Sequence, residues 1–69
     1  MRVINHIREI RQERLITQVK MAEDLRVTRQ TINAIENGDY NPSIQLCLAI
    51  CKVFGKTLDQ IFGEDDDHE

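Results

Sequence analysis

Apolar residues recur along most of this chain at intervals of three and four, the period of a helix half-buried against a core. Ile4, Ile7 and Ile10 share one face of residues 4–14, and Met21, Ala22 and Leu25 share one face of residues 18–25. No stretch alternates apolar and polar positions as a strand would. Punctuation falls between the periodic stretches. Thr17 and Thr28 stand where N-cap hydroxyls belong. Each follows an apolar residue placed to pack on the next helix, Ile16 on Met21 and Val27 on Ile32. "NG" at 37–38 predicts a left-handed end to a third helix over 29–37. "DYNPS" reads as a loop, Ser43 opens a fourth helix to Phe54, and Gly55 closes it. "TLDQ" is a capping box from Thr57 to Gln60, opening a short fifth helix through Phe62. The pattern predicts an all-α domain of five helices over residues 1–63 and a disordered tail over 64–69.

The fourth helix is harder to orient. Gln45, Ala49 and Lys52 fill one narrow arc. Ile44, Cys47, Leu48 and Cys51 cover one apolar arc, and Leu46, Ile50, Val53 and Phe54 cover another beside it. A single small core should need only the first. The surplus predicts either burial under the first and fifth helices or a face for a second copy, extended by Leu58 and Ile61.

Composition narrows the setting. A chain of 69 residues makes one small domain, which buries only roughly 60% of its unfolded surface. Pairing with a second copy is a common remedy. The two cysteines sit in an apolar run with no secretory pattern ahead of them, which points to a reducing, cytoplasmic setting. They read as core residues, since two thiols do not complete a zinc site. His6 and His68 stand apart from each other and take no role. No metal or cofactor is expected, and no membrane span. The net charge of −3 hides an asymmetry: residues 1–63 carry nine bases and seven acids, while "EDDDHE" holds the other five acids. The body is therefore positive.

The polar side of the third helix is made of forked hydrogen-bonding groups instead of mixed Lys and Glu. At about 100° per residue, Thr31, Ile32 and Ile35 fall on one arc. Arg29, Gln30, Asn33 and Asn37 fall opposite, with Ala34 at the edge. Arginine meets guanine in a bidentate way, asparagine and glutamine meet adenine, and alanine or a threonine methyl meets the thymine methyl. A solvated polar face accounts for the same residue types equally well. The neighbouring helix tips the balance. Two short helices joined by a tight turn make a helix-turn-helix, whose second helix enters the major groove while the first crosses the backbone. Gln18, at the start of the second helix, is then placed to donate to a phosphate.

The stretch "TQVKMAEDLRVTRQTINAIENGDYNPSIQLCLAICKVFGKTLDQIF" resembles the Cro/cI-type (XRE) helix-turn-helix family, over roughly residues 4–62. The set "TQ…A…L.V…TI…IENG…PS" is specific as a whole, though each piece alone is weak. The resemblance implies a five-helix, lambda-repressor-like fold and a homodimeric repressor of transcription that binds double-stranded DNA. It implies base reading by Arg29 and Gln30, and secondary base or phosphate contacts by Thr28 and Asn33. It implies a backbone grip by Gln18, and phosphate contacts by Asn37, Tyr40 and Asn41. Arg11 is implied to pair with Glu36, and it is also a candidate for a phosphate. Ala34 sits at a base-reading position where phage members carry an amide, so their operators do not transfer. The family's dimer contact lies near the fifth helix, which singles out Asn41, Leu46, Ile50, Leu58 and Ile61. Arg26 stands where the family usually has glycine, at a cost of roughly 1 kcal/mol if the turn stays left-handed.

An enzyme is not expected: no phosphate loop, no nucleophile set and no paired metal motif is present. The rival reading is a protein-interaction module of the same fold, such as an antitoxin that holds a toxin or a regulator that binds an antagonist.

Overall fold

The computed structural model describes residues 5–63. The expectations for Ile4, for His68 and for the acidic tail at 64–69 lie outside the described residues. Five helices follow in order: α1 (Ile7–Glu13), α2 (Gln18–Leu25), α3 (Arg29–Glu36), α4 (Ile44–Phe54) and α5 (Leu58–Phe62). Among the described residues no strand forms. No helix there is long and apolar enough to cross a membrane.

The helix starts follow from side-chain hydroxyls. Thr17, Thr28, Ser43 and Thr57 all take extended backbone, and each oxygen accepts from the N–H three residues on. At α5 the box is closed on both sides, since Gln60 Oε1 accepts from the Thr57 N–H at 2.9 Å. The first helix differs. Its start at His6 has no side-chain cap of its own. Asn5 serves instead: its Oδ1 accepts from Ile7 N at 3.1 Å, and its Nδ2 donates to Ile35 O at 2.8 Å. One side chain thereby orients α1 and ties it to the last turn of α3.

Among the described residues, four turns use left-handed backbone. Gly38 (φ 79°) and Gly55 (φ 66°) take it without strain. Leu15 (φ 57°) and Arg26 (φ 60°) take it without that freedom. The turn between α2 and α3 thus keeps its left-handed geometry despite the arginine, and Leu15 is a second such position that no sequence pattern marked.

The core is Ile7, Ile10, Met21, Ala22, Ile32, Ile35, Ile50, Phe54 and Ile61, drawn from all five helices. Ile16 and Val27, the residues ahead of the two threonine caps, pack against it. On α4 the surplus arc takes the first of its two expected outcomes, burial, and the arc expected to serve the core is the one left exposed. Ile50 and Phe54 are buried, with Leu46 and Val53 packed beside them, while Ile44 is 69% and Leu48 52% exposed. Both arcs are apolar, and the docking of the other helices decides between them. The cysteines lie on the boundary. Both are half-buried free thiols: Cys51 packs on the core, and burial pushes the Cys47 thiol above its ordinary value.

Candidate nucleic-acid interface

Helices α2 and α3 pack on each other across the turn at Arg26, and α2 also packs on α4. With Ile32 and Ile35 each 1% exposed, α3 has only one orientation available. That orientation turns Arg29, Gln30, Asn33 and Asn37 outward, with Ala34 at the half-buried margin. The side chains of Arg29 and Gln30 form no hydrogen bond or ion pair with the described residues, so the two groups at the start of the helix are available to a ligand. Thr28 is occupied differently. Its hydroxyl caps α3, accepting from Thr31 N at 3.1 Å, and lies 2.9 Å from the Thr31 hydroxyl. Tyr40, 47% exposed, and Asn41 stand in the loop that follows α3.

At the far end of α3 lies a buried charge. The Glu36 side chain has no exposed surface, and three groups converge on it. Arg11 Nε meets Oε2 at 2.7 Å and its Nη2 meets Oε1 at 3.3 Å. Arg8 Nε and Gln18 Nε2 reach Oε1 at 3.2 and 3.1 Å. Burial pushes this carboxyl up, but the hydrogen bonds from Arg11, Gln18 and Arg8, with the Arg11 charge, outweigh it and hold it below its ordinary value. An unpaired acid at this end of α3 would repel anions. Here two guanidiniums on one carboxylate leave the cluster net positive.

The expected Arg11–Glu36 pair is therefore present, but the phosphate candidacy of Arg11 needs correction. Its side chain is 11% exposed, and its remaining nitrogen donates to Ile16 O at 2.8 Å. The guanidinium is enclosed by partners inside the fold. Arg8, which sequence reasoning passed over, is the exposed member at 47%, and its Nη2 donates to Asn37 Oδ1 at 2.6 Å. The signal was available: Arg8 and Arg11 stand three apart on one helical face. Gln18 is turned inward as well, bridging Glu36 and Asn33.

The residues expected at a dimer contact divide in two. Ile50 and Ile61 have no exposed surface, so they belong to the monomer's own core and are withdrawn as contact residues. Leu46 is half-buried against that core, while Leu58, 39% exposed, and Asn41 remain accessible.

Comparison with known proteins agrees with this architecture. The helix-turn-helix family model matches residues 7–61. YgzD of Bacillus subtilis (strain 168), an uncharacterized HTH-type transcriptional regulator, is 41% identical over 64 residues, 93% of this chain and 97% of its own. An uncharacterized HTH-type transcriptional regulator of Methanocaldococcus jannaschii is 48% identical over 52 residues, 75% of this chain and 79% of its own. The immunity repressor of Bacillus phage phi105 is 37% identical over 65 residues, 94% of this chain but 45% of that repressor. Five helices with a capped α2–turn–α3 unit, matched by relatives over nearly the whole length, make this chain a member of the Cro/cI-type (XRE) helix-turn-helix family of DNA-binding transcriptional regulators.

Proposed function

We propose that the protein is a cytoplasmic repressor that binds an inverted-repeat operator as a homodimer, each copy laying α3 in the major groove. The observation that carries this is the outward row on α3, anchored by Ile32 and Ile35 behind it and free of internal partners at Arg29 and Gln30. Arg29 and Gln30 are the principal base readers, with Thr28, Asn33 and Ala34 beside them. Asn37, Tyr40 and Asn41 meet the phosphates, and Gln18 supports the row from α2. Repression follows from occlusion: two helices in successive grooves block the polymerase. The phage relative's name, immunity repressor, supports the sign of regulation.

Binding to duplexes selected from a random pool tests the reading. Arg29→Ala and Gln30→Ala should each cost about 1–3 kcal/mol and relax preference at one base pair per half-site, with the fold intact. Unchanged preferences in both variants would refute the reading. For the dimer, the support is apolar surface exposed at Ile44, Leu48 and Leu58. Leu48→Asp and Leu58→Asp should give monomers in sedimentation. A wild-type protein that is monomeric at high micromolar concentration excludes the dimer.

A further inference from the structure

The resemblance implied a phosphate contact for Arg11, but Arg11 is enclosed, and Arg8 beside it has what that contact needs. Glu36 carries one negative charge, and two arginines meet it. Arg11 spans both carboxylate oxygens, at 2.7 and 3.3 Å, and is only 11% exposed. The charge left over is that of Arg8, whose side chain is 47% exposed. A guanidinium is a rigid fork of N–H donors. Arg8 Nε is committed to Glu36 at 3.2 Å and Nη2 to Asn37 Oδ1 at 2.6 Å, while Nη1 donates to none of the described residues. Asn37 ends the outward row of α3, so that short contact sets the fork beside the row. With two partners already fixing the side chain, little rotamer freedom remains to be lost when an anion arrives.

We propose that Arg8 binds a backbone phosphate of the DNA at the end of α3, donating from Nη1, with Glu36 and Asn37 as the residues that position it. The inference rests on α3 being the major-groove helix, since any strand that Asn37 touches then passes within reach of the fork. The contact is to charge and not to sequence, so it adds affinity to every duplex alike. Arginine suits the task because its fork can offer parallel N–H groups to two phosphate oxygens.

The test measures the affinity of the full chain for duplex selected from a random pool and for random duplex, at several salt concentrations. Losing one phosphate contact flattens the dependence of log affinity on log salt by about 0.9. The advantage of the wild type over Arg8→Ala should therefore shrink by about 3.5-fold as salt rises about fourfold. The effect should be equal on both duplexes and leave base-pair preferences unchanged. Arg8→Lys keeps the charge and should stay close to the wild-type slope. Lys52→Ala removes the same charge from the last turn of α4 and should also leave the slope in place. A loss for Arg8→Ala that is constant at every salt overturns the proposal, because a residue that only props Asn37 would give that result. A slope for Arg8→Lys as shallow as for Arg8→Ala overturns it too. So does an equal flattening by Lys52→Ala, which would mean diffuse attraction, or a changed preference at any base pair in Arg8→Ala. Failure of the major-groove reading would look different, with Arg29→Ala and Gln30→Ala leaving all preferences intact.

Discussion

Helix α3 starts at Thr28 and α4 at Ser43, each hydroxyl accepting from the N–H three residues on, and a left-handed glycine lies at the far end of each. Their middles differ. On α3 the polar groups Arg29, Asn33 and Asn37 occupy one side, so burying Ile32 and Ile35 leaves a single orientation. On α4 apolar residues cover most of the circumference, and two arcs compete for the core. The winning arc, Ile50 and Phe54, is the one that the sequence marked as surplus. A helix advertises its inner face through the polar residues that it must keep outside, not through the apolar ones that it can bury. The losing arc on α4 has a use of its own if it meets a second copy.

The orientation of α3 also rests on the buried carboxylate at its end, and removing that group is the most damaging way to break the comparison. Glu36→Ala leaves Arg11 enclosed without its counter-charge, a change that costs roughly 3–5 kcal/mol. That is much of the stability of a domain this small, where the total is about 5–15 kcal/mol. Arg8→Ala should cost no more than about 1 kcal/mol, because its guanidinium is half in water. Thermal or urea unfolding of the two variants checks the contrast, and equal losses would show that the charge is not what holds α3. The same carboxyl gives a pH signature. Its folded value lies below the ordinary one, so its contribution is complete above the ordinary glutamate value and is lost as pH falls toward the folded value. Glu36→Gln should flatten that acid limb of the stability curve.

The competing arcs of α4 invite the next test. Ile50→Ala opens a cavity in the core and should cost about 2–5 kcal/mol. Ile44→Ala, at a position 69% exposed, should stay within about 0.5 kcal/mol in the monomer. Comparable losses would mean that Ile44 is buried in solution, as by a partner copy, and dilution would then separate the two variants.

Much of the rest was legible in advance. The caps at Thr17, Thr28, Ser43 and Thr57 fixed where four helices begin, because short hydroxyl side chains compete locally for the first free N–H groups. The row on α3 was legible for the reason just given. The clasp of Asn5 on Ile35 and the addition of Gln18 to the Arg11–Glu36 pair were not. Each joins residues far apart in sequence, and local periodicity carries no information about which helices meet. The inward turn of Gln18 was missed for the same cause: its position at a helix start suits a phosphate, and only the neighbouring carboxylate redirects it.

The ends of the helices sharpen the contrast at the smallest scale. Both α3 and α4 finish at glycines, whereas the chain leaves α1 through Leu15 and α2 through Arg26, both left-handed. For a residue with a Cβ that conformation costs roughly 1–2 kcal/mol, while glycine gives back part of the gain through its freer unfolded chain. Leu15 is 90% exposed, so its side chain contributes little packing to set against relief of strain. Leu15→Gly should therefore raise stability by roughly 0.5–1 kcal/mol, and Arg26→Gly by a similar amount. Leu15 lies outside the α3 row, so its variant should bind selected duplex as the wild type does. Arg26 sits in the turn ahead of that row, and its variant separates two roles. Higher melting temperature with unchanged affinity marks a solvated arginine. Higher melting temperature with weaker binding to all duplexes, and a shallower dependence on salt, marks a phosphate contact maintained at the expense of a relaxed turn.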